Sequence, residues 1–384
     1  MSATVRKFLP HADVRENVKW SDDGGKTAWE SDLVAIIDKT MLVFEAKSAK
    51  IKSAARRGAV QSLKEALHEL VVAPSEQSLR LKQRVLEARG PITFQTRQGL
   101  LEINPHDVRD IIRINVLQDA VGPLSAHWPQ LKAAGLIPQN SDIAPSMSIF
   151  ELETVFDVLT QEIERCHYLS RRAELERNAV YFADELDLLA VYLGTQFIIG
   201  EDEFDGRPLQ WYGASLRIAP TYNDAGEKQP LRISISRTPF WSRLLTALEE
   251  KRPTGWTRFG HRLLNVDLTG QRKIERLMKQ GLRQVTLRPD CFFSTGLTLG
   301  SPQRLQTIAI GVGSPASPGQ FDANLTHIAE SAFVQGGQED LLLIYWFIPR
   351  TSEPYDFIGI FKRGSRSSAK AFQKAVAENM HGRS

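Results

Sequence analysis

Asp32, Glu45 and Lys47 are the residues of this chain whose types and spacing could do chemistry. One residue, Ala46, separates the glutamate from the lysine, and twelve residues separate Asp32 from Glu45. Two carboxylates brought together are hard oxygen ligands of the kind that hold Mg²⁺, an ion that binds through one or two of them and keeps several waters. A metal held there polarises a phosphate and lowers the pKa of a bound water. A lysine alongside can position that water and offset negative charge in the transition state. The chemistry these three side chains suit is metal-assisted hydrolysis of a phosphodiester.

The elements that must position them are two short apolar runs, Leu33–Ile37 and Met41–Phe44, separated by Asp38-Lys39-Thr40. Each run is rich in Val, Ile and Phe and too short for a helix, so each reads as a strand. A break of that length makes the pair an antiparallel hairpin. With Asp38-Lys39 as a two-residue loop, Ile37 pairs with Thr40, and counting back sets Asp32 opposite Glu45. Directly opposed residues share a face, so Lys47 and Glu30 are expected on that face as well, with Glu30 as a further acid. A solvated sheet edge carrying an ion pair would use the same residue types. Against it, both faces of both strands are apolar, which puts the hairpin inside a sheet covered on both sides. Ionisable strand ends in such a sheet seldom lack a role.

Asp32, then Glu45-Ala46-Lys47 on the following strand, resembles the PD-(D/E)xK nuclease superfamily, the restriction-endonuclease-like fold, in its Mrr and NERD-type branch. The resemblance covers about the first third of the chain. It implies that Asp32 and Glu45 are Mg²⁺ ligands, with Mn²⁺ able to substitute, that the Ala46 backbone carbonyl is a further ligand, and that Lys47 is the catalytic lysine. It favours DNA over RNA and endonucleolytic over exonucleolytic cleavage. Gln77, on the helix expected over Glu76–Ala88, is similar to a helix glutamine that some members place beside the E-x-K strand. The family also leads its first strand with a helix. Here about a dozen residues precede that strand and Pro10 is among them, so the helix is expected to be absent or truncated. The face it would cover should then be an apolar patch inviting self-association or a protein partner. The competing reading is a non-catalytic nucleic-acid-binding or assembly protein with a decayed nuclease core; the presence of all three motif residues counts against it.

The 384 residues allow two or three domains. Hydrophobic content of 42% and charged content of 24% are those of a soluble globular protein, and a net charge of +3 permits nucleic-acid binding without demanding it. Two cysteines without C-x-x-C spacing argue against a disulfide framework and a zinc site. No run of 18 apolar residues and no signal-peptide core is present, so no membrane association and a cytoplasmic location are expected. Gly25-Lys26-Thr27 matches the end of a phosphate loop, but Trp20 stands where its first glycine belongs, so a turn is expected there.

Lys50, Lys52, Arg56 and Arg57 follow the hairpin with no acid among them, well placed for phosphates that flank the scissile one. Val5–Leu9 and Asp13–Trp20 read as one strand. Leu63, Leu67 and Leu70 recur at helical spacing up to Pro74, and residues 91–94, 99–103 and 112–116 read as strands completing a mixed α/β core. Ser148 to Glu151 forms a capping box opening a helical region, in which Arg171, Arg172 and Arg177, interspersed with glutamates, read as a solvated face. Further on, Leu231–Ile235 is expected as a strand. Thr307–Val312, Ala323–Val334 and Leu341–Phe347 make a β-α-β unit, followed by a strand over Tyr355–Phe361 and a basic tail. The expected organisation is a restriction-endonuclease-like core over 1–124, a helical region over 125–200 and a C-terminal α/β accessory domain over 201–384.

Overall fold

The hairpin around Asp38-Lys39 lies in the middle of a seven-stranded mixed sheet. The computed structural model describes residues 1–22, 27–119, 128–218, 235–315, 318–336, 338–348 and 353–363. The turn expected at 22–25, the phosphate-loop-like 25–27, the strand expected over 231–235 and the tail beyond 363 fall wholly or largely outside them. The chain divides into two compact units, Met1–Phe197 with Asp202–Ile235, and Ile198–Glu201 with Ser236–Ser384.

In the first unit a short helix, α1 (Ser2–Phe8), leads into β1 (Asp13–Asp22), β2 (Thr27–Ile37) and β3 (Thr40–Lys47). The expected strand over Val5–Leu9 is thus helical. Pro10 stands just past the helix end, where it replaces no helical hydrogen bond. Val5 and Phe8 are buried, and the Phe8 ring meets Phe156 edge-on at 5.8 Å. Two short helices, α2 (Ser53–Arg56) and α3 (Val60–Leu67), run into a π-helical turn at His68–Val72 and then α4 (Ala73–Glu87). Pro74 has no N–H and its ring crowds the preceding turn, which accounts for the wide turn just before it.

The strands β4 (Ile92–Thr96), β5 (Gly99–Ile103) and β6 (Asp110–Leu117) follow, then helix α5 (Trp128–Ala133) and the edge strand β7 (Ser146–Ser148). The sheet order is β5-β4-β1-β2-β3-β6-β7. The hairpins β1–β2, β2–β3 and β4–β5 are antiparallel, whereas β6 lies parallel to both β3 and β7. Leu81 and Val85 of α4 pack on Val34, Met41 and Val43. Burying side chains of this size stabilises the fold by roughly 1.5–3 kcal/mol each.

The other sheet face is equally buried, with Leu33, Ala35, Leu42, Phe44 and Ile114 all at 0% exposure. The apolar patch expected from a truncated leading helix is therefore not there. Helix α6 (Ile149–Val158) packs against β6 and β7, and α1 against β1 and α6. The capping box is present as read: Ser148 accepts from the Glu151 N–H and Glu151 from the Ser148 N–H.

Helices α7 (Glu162–Asn178) and α8 (Glu185–Thr195) complete the helical region, with the two-residue strands β8 (Tyr181–Phe182) and β9 (Leu209–Gln210) paired beside them. The solvated face expected for Arg171 and Arg172 is instead a buried charge network, the two side chains being 2% and 0% exposed. Arg171 pairs with Glu203 at 2.8 Å, and Arg172 with Glu185 at 3.0 Å and with Glu176. Enough opposite charge converges from α7, α8 and the segment after them to keep both guanidiniums out of water. Arg177 is exposed, as read.

The second unit holds a four-stranded sheet, in the order β10 (Phe293–Leu299), β11 (Gln306–Gly313), β12 (Asp340–Phe347), β13 (Phe357–Lys362). The expected β-α-β unit is β11, the helix Pro318–Gly336 and β12, with β11 and β12 parallel. Phe321, Leu325 and Ile328 of that helix pack on Leu343 and Tyr345. Among the described residues no helix is long and apolar enough to cross a membrane.

Candidate active site

The β2–β3 turn is the two-residue loop read from the sequence. Ile37 pairs with Thr40, and Asp38 has the positive φ of 51° that such turns require at their first position. The regular ladder runs back to Leu33 opposite Phe44 and stops there. Beyond that point Ser31 takes the place opposite Glu45 that the counting assigned to Asp32. The Ser31 hydroxyl donates to Glu45 Oε1 at 2.6 Å, and the Asp32 carboxylate accepts the Ala46 N–H at 2.7 Å.

The cause lies on the neighbouring strand. Asn17 of β1 has φ 52° at the level of Asp32, between the pairs Glu16–Leu33 and Val18–Ser31. Trp29 shares one apolar cluster with Val34, Met41 and Val43. Strict alternation would put Trp29 and Val34, five residues apart, on opposite faces. The side-chain phase therefore changes by one residue between Ser31 and Val34, as at a β-bulge. Ser31 turns to the α4 side with Glu45, and Asp32 is swung to the seam between β2 and β3.

The same change moves Glu30 away from the site. Its carboxylate takes a hydrogen bond from Asn17 Nδ2 and lies 3.4 Å from Lys19 Nζ, so the register that set it opposite Lys47 does not hold. Its backbone carbonyl accepts from Gln77 Nε2 at 2.6 Å, which ties α4 to the strand beside Ser31. Lys50, Lys52, Arg56 and Arg57 are exposed on and around α2, directly after β3, and Arg56 lies 3.6 Å from Asp119.

Glu45 is the electrostatic centre. It has 0% exposure, and burial pushes its carboxyl up to about 8. The Ser31 hydroxyl opposes that rise, the Asp32 carboxylate within hydrogen-bonding reach adds to it, and the Lys47 charge opposes it. Asp32, Glu45 and Lys47 are thus close enough to sense one another. Only one Glu45 oxygen is satisfied: Oε2 is buried without a hydrogen-bond partner.

Asn115, which sequence reasoning missed, sits beside Glu45 across the parallel β3–β6 ladder. Its Nδ2 donates to Ser75 Oγ at 2.9 Å, Ser146 Oγ at 3.1 Å and the Val71 carbonyl at 3.3 Å. Ser75 spends its own hydrogen on Val71 O, and Ser146 spends its hydrogen on Ala144 O. Both hydroxyls can then only accept, which fixes the way round the Asn115 amide lies. Its Oδ1 is left buried without a donor. Two neighbouring buried positions therefore each present an acceptor that nothing donates to. Such groups are costly unless a proton or a cation completes them. The signal for Asn115 was the polar pair Arg113 and Asn115 in a strand that is otherwise apolar after Asp110.

The residues that could hold a divalent ion are Asp32 and Glu45, with Asn115 Oδ1 near Glu45. Among the described residues no group of three or more His, Cys, Asp or Glu side chains gathers as a metal site. Two carboxylates suit Mg²⁺, which takes its remaining ligands from water and substrate phosphate. The unpartnered Oε2 of Glu45 beside the Asp32 carboxylate fits that ion. Comparison with models of protein families, with curated proteins and with solved structures found no match.

Proposed function

We propose that the first unit is a metal-dependent nuclease of restriction-endonuclease-like arrangement that hydrolyses phosphodiester bonds, with DNA as the favoured substrate and endonucleolytic cleavage as the mode. The observation that carries the reading is the buried, half-satisfied Glu45 carboxyl beside Asp32, with Lys47 two residues on. Asp32 and Glu45 would hold Mg²⁺, with the Ala46 carbonyl as a further ligand, and the ion would supply Lewis-acid polarisation of the phosphate and an acidified water. Ser31 fixes Glu45 by occupying Oε1, and the unpartnered Oε2 would be the oxygen that takes the ion. The Ala46 N–H fixes Asp32 in the same way. Lys47 positions the attacking water and offsets charge on the phosphate. Lys50, Lys52, Arg56 and Arg57 hold flanking phosphates.

The test is nicking of supercoiled plasmid by purified protein with Mg²⁺ or Mn²⁺. Cleavage by the wild type that disappears in Lys47→Ala, with folding and DNA binding retained, is the expected result. Equal nicking by Lys47→Ala and Glu45→Gln, or none by the wild type with either metal, removes the reading. One observation favours a non-catalytic nucleic-acid-binding or assembly protein instead: a carboxyl raised to about 8 is mostly protonated at neutral pH and could serve as a buried donor. That reading predicts no stabilisation by Mg²⁺.

A further inference from the structure

A second cluster of charge lies on the same unit. Helix α4, the start of β6, residues 143–145 and helix α7 line a cavity of about 290 Å³ that is open to solvent on one side. Lys82, Arg109, Arg113 and Arg177 all line it. Arg113 is 5% exposed and anchored, its guanidinium donating to the Ser75 carbonyl at 2.8 Å and pairing with Asp142 at 2.8 Å. Lys82 and Arg177 are different: among the described residues neither makes a hydrogen bond or a close ion pair.

Two acids, Asp110 and Glu174, line the cavity against its four cations. Asp142 is committed to Arg113, and Glu174 is committed to Arg171 at 2.5 Å. Burial and the charges of Arg113 and Arg177 push the Lys82 ammonium down, with Asp142 opposing. Like charges held together around a cavity cost stability, and an anion among them relieves that cost.

We propose that this cavity is an anion site for a phosphoryl group, with Lys82 and Arg177 as its open donors and Arg113 as its fixed wall. The class follows from the donors. Arginine presents several N–H groups in a planar fork that matches phosphate oxygens, and lysine adds a point charge. The volume is at the small end for ligand pockets, which suits one phosphoryl or pyrophosphoryl group with few atoms attached. The site is independent of the nuclease reading, since it uses neither Asp32, Glu45 nor Lys47.

The experiment is thermal unfolding of the full chain in a chelator, so that no cleavage enters the readout. Sodium phosphate and pyrophosphate are compared with sodium chloride at equal ionic strength, for the wild type, Lys82→Met and Arg177→Gln. Phosphate raises the melting temperature of many proteins by exclusion from their surface, so the readout is the gain of the wild type over the variants. The expected result is a gain of several degrees for the wild type, cut by at least half in each variant. In chloride alone Lys82→Met should melt no lower than the wild type, because an unpartnered cation has been removed.

Arg177 is exposed, so Arg177→Gln tests the site even if Lys82→Met does not fold. Equal gains in all three proteins overturn the proposal, as does a wild type that neither phosphate, pyrophosphate nor a 5′-phosphorylated oligonucleotide stabilises beyond chloride. A parallel arm with a short oligonucleotide, with and without a 5′-phosphate, separates the sources. Protection by inorganic phosphate or pyrophosphate points to a free phosphorylated molecule, and protection only by the phosphorylated oligonucleotide points to a strand end. Either supports the site.

Discussion

A carboxyl held half-satisfied in the dry interior makes stability depend on pH in a defined direction. Glu45 ordinarily loses its proton near 4.5 but holds it up to about 8 in the folded chain. Between those values the native state binds more protons than the unfolded state, so stability falls as pH rises. The contribution is fully present below about 4.5 and is lost as pH passes 8. It amounts to a few kcal/mol at about 1.4 kcal/mol per unit. Urea melts in a chelator across this range should show the decline, and Glu45→Gln should flatten it; an undiminished slope in Glu45→Gln would assign the decline to other groups. Mg²⁺ should restore stability at the alkaline end for the wild type and not for Glu45→Gln. Asn115 has a prediction of its own. In Asn115→Asp a carboxylate replaces the donor that faces the Val71 carbonyl and two hydroxyls whose hydrogens are already spent. Denaturant unfolding should record a loss of about 2–3 kcal/mol, the cost of buried polar groups left unmatched. At this scale Asp32, Glu45 and Lys47 were legible because their spacing along two apolar strands is visible in the sequence. Ser31 and Asn115 were not, because each acquires its part through a neighbour distant along the chain.

At the scale of elements, the hairpin register near the turn could be counted from the sequence, and the error began five residues from it. Counting assumes an unbroken period of two, and the left-handed Asn17 on β1 breaks that period. Nothing local to β2 announces the change. Asn17→Val should therefore do more than lose a surface hydrogen bond to Glu30. A β-branched residue resists that φ at a cost of about 1–2 kcal/mol, and relief of the strain pulls Ser31 and Asp32 back toward simple alternation. The expected outcome is a destabilised protein whose stabilisation by Mg²⁺ is also reduced, whereas Asn17→Gly keeps both. Equal Mg²⁺ responses in the Val and Gly variants would mean that Asn17 does not set the site. The segment Val5–Leu9 was misread for a related reason. Its apolar residues suit a strand or one helical turn equally well, and what decides is the docking of Phe8 on Phe156 from a helix far along the chain.

At the scale of the whole molecule, charge is distributed unevenly while its sum stays near neutral. The net charge of +3 supplies little general attraction for a polyanion. Some arginines are locked inside: Arg171 and Arg172 pair with buried glutamates and offer nothing to a partner. On the proposed reading, binding to nucleic acid would have to come from local groups, and the four cations after β3 are exposed. Each phosphate neutralised contributes about 0.9 to the slope of log K against log[salt] for duplex DNA. Arg56 is partly occupied by Asp119 at 3.6 Å, so replacing Lys50, Lys52, Arg56 and Arg57 by Gln should make the slope shallower by about 3 rather than the full value for four phosphates. Folding should be unaffected, because all four side chains reach into solvent and exposed charges of this kind add little to stability. The measurement is duplex binding by fluorescence anisotropy over a series of salt concentrations, in a chelator so that cleavage does not intervene. A slope unchanged from the wild type would take this segment out of the interface, and the phosphate contacts would then have to come from another part of the chain.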